Sequence, residues 1–456
     1  MKKTLILGLA LALVGGAAYA NFCARDVVPA ASLLVPYAVV DLNADGTPNT
    51  SGYTTLFAVT NVSSTLQLVH FTVWSAQSNP VVDFDEVLTG YDVWTINFRD
   101  LLTGHFDYFD TGSALKPTAG SPFGPTTNDR TVANLALAQD VTAGAITGCN
   151  FPYKYRPTLG PIITGNLQQD IYAVPLQVAQ CTIKKTNFTS PPWLLGLTDN
   201  PVFFYVTADV VAACNTSFPN ESGYWNAGPS TNGGRYPAPT NVLIGDVIWV
   251  NQTQGLSESI PAVHLEANTA WRSATNEAFY SRYSTAASPA QYDDREPLAT
   301  AFAFRYMNAN GVSTQAMVWK DESEIDYSKT LGDYTYACYP YVYFAFDEAE
   351  NALARGGGGP SGFDVAEPNV IPFETQSVPV NSANWDGIPA ANGWMMLVFD
   401  PSVASLTTDA RQAWVGVRYL MGGYSTSLEA ATLANFNCFP TQVLPQLGIN
   451  YTYPLQ

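Results

Sequence analysis

The sequence predicts an all-β protein: two β-sandwich-like units joined by a loop-rich, disulfide-stabilised middle region. Two observations predict it. Tyr, Phe, Gly and Pro number 25, 23, 34 and 31, whereas Lys, Arg, Asp and Glu together make up only 13% of the chain. That composition favours pleated, half-buried surfaces over helices. Short apolar or alternating runs also recur between turn signals, as in "SLLVPYAVVDL", "YTTLFAVTN", "LQLVHFTVWS" and "VVDFDEVL". Runs of that length at that spacing describe antiparallel strands in a sandwich.

The elements divide the chain into four parts. Residues 1–20, "MKKTLILGLALALVGGAAYA", carry the basic end, the short apolar stretch and the Ala18-Tyr19-Ala20 motif expected of an export signal. Residues 21–110 form the first β unit. Within "HFTVW", His70, Thr72 and Trp74 share one face and Phe71 and Val73 the other. Asp83 and Asp85 share a face of the next strand in the same way. Residues 111–240 are dense in Pro, Gly and Asn around one clear strand, "VFFYVTADVVAAC", and read as an insertion. Residues 241–456 return to strands such as "DVIWVNQT", "ATAFAFRYMN" and "QAWVGVRYLMG". An internal echo links the β units. Thr55, Phe57, Ala58, Val73 and Trp74 match Thr300, Phe302, Ala303, Val318 and Trp319 at identical spacing, as two copies of one hairpin would.

Six cysteines, Cys23, Cys149, Cys181, Cys214, Cys338 and Cys438, lie far apart with no C-x-x-C motif. In an exported chain that pattern reads as disulfides of open connectivity rather than a zinc or redox site. The formal charge is −18, and it becomes two units more negative once Lys2 and Lys3 leave with the signal. Such a chain is a poor partner for nucleic acid and for anionic lipid. No second apolar run spans a membrane after the signal.

Several phrases together carry a resemblance: "LLVPYAVVDL", "TTLFAVTN", "LTGYDVWTINFRD", "VHLEAN", "DDREPL" and "QAWVGV". They resemble a family of secreted bacterial proteins of unknown function, through most of the chain. The resemblance implies an exported β-rich protein and no particular chemistry.

The candidate sites are few. No G-x-S-x-G, H-E-x-x-H, phosphate-binding or dinucleotide motif occurs, and there are three histidines, His70, His105 and His264. His264 and Glu266 in "VHLEAN" project from one strand face, where a carboxylate can orient an imidazole or share a ligand with it; the same pair also serves as an ordinary structural contact. Asp293, Asp294, Arg295 and Glu296 in "YDDREP" form either a loop anchor around the guanidinium or a binding cluster. Trp193, Trp225 and Trp385 sit in turn-like contexts and are the candidates for stacking on sugar rings. Asp41, Asn43 and Asp45 followed by Gly46 open a calcium-loop pattern, but Gly52 stands where a bidentate Glu belongs and the flanks are strands. Calcium is the one cofactor left open, beside a plain turn.

These readings converge on an exported structural or binding protein of the cell surface, extracellular matrix or periplasm, without enzymatic activity and with itself or a glycan as partner. The alternative is a secreted polysaccharide hydrolase using paired carboxylates such as Asp83 and Asp85.

Overall fold

The computed structural model describes residues 28–103, 160–168, 171, 201–212, 218–226, 237–267, 278–280, 293–321, 341–358, 371, 373–382, 384, 385, 388, 391–399 and 412–435. The export signal, all six cysteines, His105 and Trp193 lie outside them. The described chain is mostly strand, arranged in three antiparallel sheets, so the all-β expectation holds. Among the described residues no helix is long and apolar enough to cross a membrane.

The first unit faces a four-stranded sheet with a five-stranded one. The four-stranded sheet runs β5 (Val93–Asn97), β2 (Tyr53–Asn61), β7 (Leu243–Asn251), β8 (Leu256–Pro261). The five-stranded sheet runs β4 (Pro80–Leu88), β3 (Gln67–Ser75), β6 (Val202–Val211), β1 (Ser32–Val40), β9 (Val263–Leu265). Their facing aromatic side chains interlock: the Phe71 ring stacks on Phe84 at 4.9 Å and meets Phe57 edge-on at 6.2 Å and Trp94 at 4.8 Å. Burial follows layer position. Strand β7 alternates buried with more exposed residues because its outer face meets solvent, whereas every residue of β1 and β6 is buried. A strand covered on both faces reads as one continuous apolar run, which "VFFYVTADVV" nearly is. Three short helices complete the described chain: α1 (Phe98–Thr103), α2 (Gly160–Gln168) and α3 (Ser222–Asn226).

The second unit is a nine-stranded sheet. One half contains β13 (Ala352–Gly358), β12 (Tyr341–Asp347), β15 (Asn392–Val398), β10 (Ala299–Met307) and β18 (Ala431–Asn435). The other contains β17 (Tyr424–Glu429), β16 (Ala413–Met421), β11 (Val312–Lys320) and β14 (Thr375–Pro379). A single residue pair, Ala299 with Ala413, joins the halves. Both contribute to a second core, Phe302, Phe304 and Leu397 from one and Val318, Val415 and Val417 from the other. The β16–β17 hairpin turns on Gly422 and Gly423, both at positive φ, as a two-residue loop of the favoured handedness requires.

The strands do not sort by the expected boundaries. Strand β6, from the supposed insertion, pairs with both β3 and β1 inside the first sheet. Strands β7, β8 and β9, expected in the last unit, also belong to the first. Sheet partners are chosen by long-range pairing that local composition does not encode. The echo likewise marks no hairpin, since β2 and β3 lie in facing sheets and β16 separates β11 from β10. The pairing scheme does repeat, however. Strand β2 pairs with β5 and β7, as β10 pairs with β15 and β18. Strand β3 pairs with β4 and β6, as β11 pairs with β14 and β16. Trp74 stands opposite Tyr205 where Trp319 stands opposite Trp414.

The units meet through these same tryptophans. Trp74 stacks on Tyr205 at 5.6 Å, and Trp319 meets the Tyr205 ring edge-on at 5.8 Å. Nearby, buried Arg418 of β16 donates from Nε to Glu258 Oε1 of β8 at 2.6 Å and from Nη2 to the Tyr53 hydroxyl at 2.5 Å. Removing one member of a buried pair strands the other charge, which costs about 3–5 kcal/mol. Glu258→Ala is therefore expected to lower unfolding stability by that amount in urea titrations. Ser259→Ala, on the exposed face of the same strand, is expected to change it little. A Glu258→Ala loss below about 1 kcal/mol, the range of exposed pairs, would count against the assignment.

Candidate functional site

Strand register lines up a row of polar side chains across four strands of the five-stranded sheet. Asp85 of β4 lies opposite His70 of β3, His70 opposite Asp209 of β6, and Asp209 opposite Ser32 of β1. A second row, Asp83, Thr72 and Thr207, runs one pleat away. The period of two puts all of them on one face and gives the other face to Phe84, Phe71, Ala208 and Leu33. The expectation that Asp83 and Asp85 share a face is met. Both rows are buried.

Three segments cover this face with matching polar groups. Arg295 reaches in from the residues before β10; its Nε donates to Ser32 Oγ at 2.6 Å and lies 3.5 Å from Asp209 Oδ1. The Ser32 hydroxyl donates in turn to Asp209 Oδ1. On the other oxygen of Asp209 converge the Tyr224 hydroxyl of α3 and the Tyr280 hydroxyl, the latter at 2.8 Å. Asp293 receives the backbone N–H of Tyr280 at 2.7 Å and that of Arg295 at 3.1 Å, and its Oδ1 is 3.6 Å from Arg295 Nη1. His70 Nδ1 sits 2.9 Å from Asp85 Oδ1, and its ring packs against Tyr224 at 5.5 Å. Trp74 Nε1 donates to Thr207 at 3.0 Å.

Burial shapes the protonation of this cluster. It pushes the carboxyls of Asp83 and Asp293 up to about 6, despite the opposing charges of His70 and Arg295 respectively. Burial also disfavours charge on His70, but the hydrogen bond to Asp85 and the charges of Asp85, Asp83 and Asp209 outweigh it, holding the imidazole above its ordinary value. Arg295 is desolvated as well, yet Asp209 and Asp293 secure its charge. The arrangement holds protons and charges inside the protein. Ser32 is engaged between Arg295 and Asp209.

The sequence candidates fall into three groups. Arg295 and Asp293 lie in the cluster. Asp294 is buried beside them, and Glu296 Oε1 accepts the Glu266 N–H at 3.1 Å while its own N–H bonds Glu266 O at 2.9 Å. Residues 293–296 are thus clamped to the residues just after β9. His264 Nε2 accepts the Gly245 N–H at 3.0 Å, which places its proton on Nδ1. Trp225 and Trp385 correct the expectation of surface platforms. Both are buried, with indole N–H groups on Pro219 O at 2.8 Å and Pro379 O at 3.0 Å. Turn-like sequence offered their N–H groups nearby carbonyls, and the rings went into the cores.

The 41–46 loop is a turn. Buried Asp41 receives the Tyr53 N–H at 2.7 Å. Exposed Asp45 accepts from Thr47 N at 3.0 Å and Thr47 Oγ1 at 2.6 Å, which lowers its pKa. Asn43 Nδ2 donates to Thr47 Oγ1 at 3.0 Å, and Gly46 takes a φ of +83°. Among the described residues no three His, Cys, Asp or Glu side chains are placed to hold a metal ion together.

Sequence reading missed Asp209, Ser32, Tyr224 and Tyr280 as one site. Thr207 and Asp209, two apart in an otherwise apolar strand, were the legible signal. No protein-family model, curated protein or solved structure matches this chain.

A pH dependence follows. Asp83 and Asp293, raised from 3.8 to about 6, contribute stability that is complete below 3.8 and lost as pH rises through 6. His70, raised above 6.5, acts with the same sign: its contribution is complete below 6.5 and lost above its folded value. All three favour mildly acidic conditions. Asp83→Asn, which removes one of them, is expected to gain about 2 kcal/mol relative to the parent at pH 7.5 and much less at pH 4.5. Urea unfolding at the two pH values checks this, and an equal effect at both would contradict it.

Proposed function

We propose that this is an exported, non-enzymatic structural or binding component that associates with copies of itself through the β16–β17 hairpin. The observation that carries the reading is the character of that hairpin. Strand β17 pairs with β16 alone among the described strands, and it alternates so that Tyr424, Thr426 and Leu428 face outward. Tyr424 is 73% and Leu428 56% exposed, with Met421 beside them at 48%. Edge strands are ordinarily blunted by lysine, proline or inward charges; "YSTSLE" carries one charge, the exposed Glu429 at its end. In a chain of net charge −18, residues 424–428 are an uncharged stretch where two copies approach with little repulsion. Antiparallel pairing of β17 with its two-fold copy in the register that keeps faces matched sets Thr426 against Thr426 and Tyr424 against Leu428, so no like charges oppose.

The export part of the reading rests on residues 1–20 and the six cysteines. The hydrolase alternative loses support from the burial of Asp83, Asp85 and Asp293, since glycoside hydrolysis needs carboxyls flanking a substrate cleft. Light scattering coupled to size exclusion, on oxidised mature protein across a concentration series, tests the reading. Concentration-dependent dimers or larger species are expected, and Tyr424→Asp with Leu428→Asp should return them to monomers. A parent that stays monomeric at every concentration would overturn it. So would release of reducing ends from polysaccharide that Asp83→Asn abolishes.

A further inference from the structure

The polar turn before β2 carries a second pattern beside the calcium-like one. Asn49-Thr50-Ser51 is an Asn-X-Ser/Thr sequon, the acceptor sequence for N-linked oligosaccharide in exported chains. The same pattern recurs at Asn61, Asn220 and Asn251, and at Asn187, Asn215 and Asn450 outside the described residues. So short a motif gains meaning only from its surroundings: an acceptor must lie on a surface loop with its amide open to an enzyme.

The fold separates the described sequons. Asn61 is fully buried, and its Nδ2 donates to the carbonyls of Thr65 at 2.7 Å and Thr89 at 2.9 Å. Asn251 is buried as well, and its Oδ1 accepts the Gln254 N–H at 3.0 Å. A glycan on either would have to displace packed chain. The amide oxygen of Asn220 is also buried, just before α3.

Asn49 differs from all three. It is partly exposed, and Thr50 and Ser51 after it are exposed. Its Oδ1 accepts the Ser51 N–H at 2.9 Å, an Asx turn, and the planar amide then turns Nδ2 away from the backbone. Neither that Nδ2 nor the Ser51 hydroxyl has a hydrogen-bond partner among the described residues. The backbone beneath them is fixed: Arg99 Nη1 donates to Thr50 O at 3.0 Å and Thr253 Oγ1 to Ser51 O at 2.5 Å. The two groups that define the sequon are thus presented together on a held turn.

We propose that Asn49 is an N-glycosylation site that takes an oligosaccharide from a lipid diphosphate donor through a membrane oligosaccharyltransferase. The inference rests on the export reading, because such transfer takes place on the exported side of a membrane. A bond forms between Asn49 Nδ2 and C1 of the sugar while the bond from C1 to the phosphate oxygen breaks. The lipid diphosphate leaves with that electron pair, and the amide gives up one proton.

The test is peptide mass spectrometry on the parent and its variants, each isolated from the source cells. The peptide bearing Asn49 is expected to carry added sugar mass, and those bearing Asn61 and Asn251 none. Ser51→Ala, which leaves the asparagine and its turn in place, should abolish the addition, whereas Ser51→Thr should keep it. The N-terminal peptide tells the two readings apart. A chain that begins at Asn21 with bare Asn49 overturns this inference and leaves export standing. A chain that retains residues 1–20 overturns export and this inference with it. Sugar on Asn61 or Asn251, or on Asn49 in Ser51→Ala, would also overturn it.

Discussion

The ion pair between Asp209 and Arg295 is the constraint on which the rest of the structure depends. Asp209 is fully buried on β6, the central strand of the five-stranded sheet. A carboxylate there costs several kcal/mol unless charge and hydrogen bonds compensate it. Arg295 compensates it from just before β10, the first strand of the second unit. The pair thereby holds the start of one unit against the middle sheet of the other. Tyr224 and Tyr280 complete the coordination of Asp209 and bring their own segments to the same point. Register follows as well, because a one-residue slip of β6 would drive Asp209 into the Phe71 core and expose Ala208 to the charges.

The most concentrated ionisable groups in the described chain are buried and bonded to one another. Asp83, Asp85, Asp209 and Asp293 outnumber Arg295 and His70 within the buried face. The excess of acids is balanced by proton affinity: Asp83 and Asp293 hold protons to about 6. Both are buried, and Asp293 accepts the backbone N–H groups of Tyr280 and Arg295.

Strand character was legible in the sequence, and so were the faces. "HFTVW" and "VVDFDEV" placed His70, Thr72, Asp83 and Asp85 together by alternation alone. The turn at 41–46 was legible too, because Asp45 and Gly46 act through bonds to their own neighbours. Partner choice was not. Ser32 and Asp209 are 177 positions apart, and nothing local tells β6 to enter the first sheet. Trp225 and Trp385 misled for a related reason: a turn-like context describes the backbone, whereas burial of the ring depends on which core lies beneath. The five-residue echo suggests two hairpins, yet what repeats is a pairing scheme, with Trp74 and Trp319 in equivalent places.

The central claim is tested most directly by a double-mutant cycle on Asp209→Asn and Arg295→Met, with unfolding free energies from urea titration at pH 7. Each single change leaves a buried charge unanswered and is predicted to cost about 3–5 kcal/mol. The double change removes both charges, so its cost should fall short of the sum of the singles by about 2 kcal/mol or more. Costs that simply add would contradict the account, because Asp209 and Arg295 would then act independently and could not be what holds the two units together.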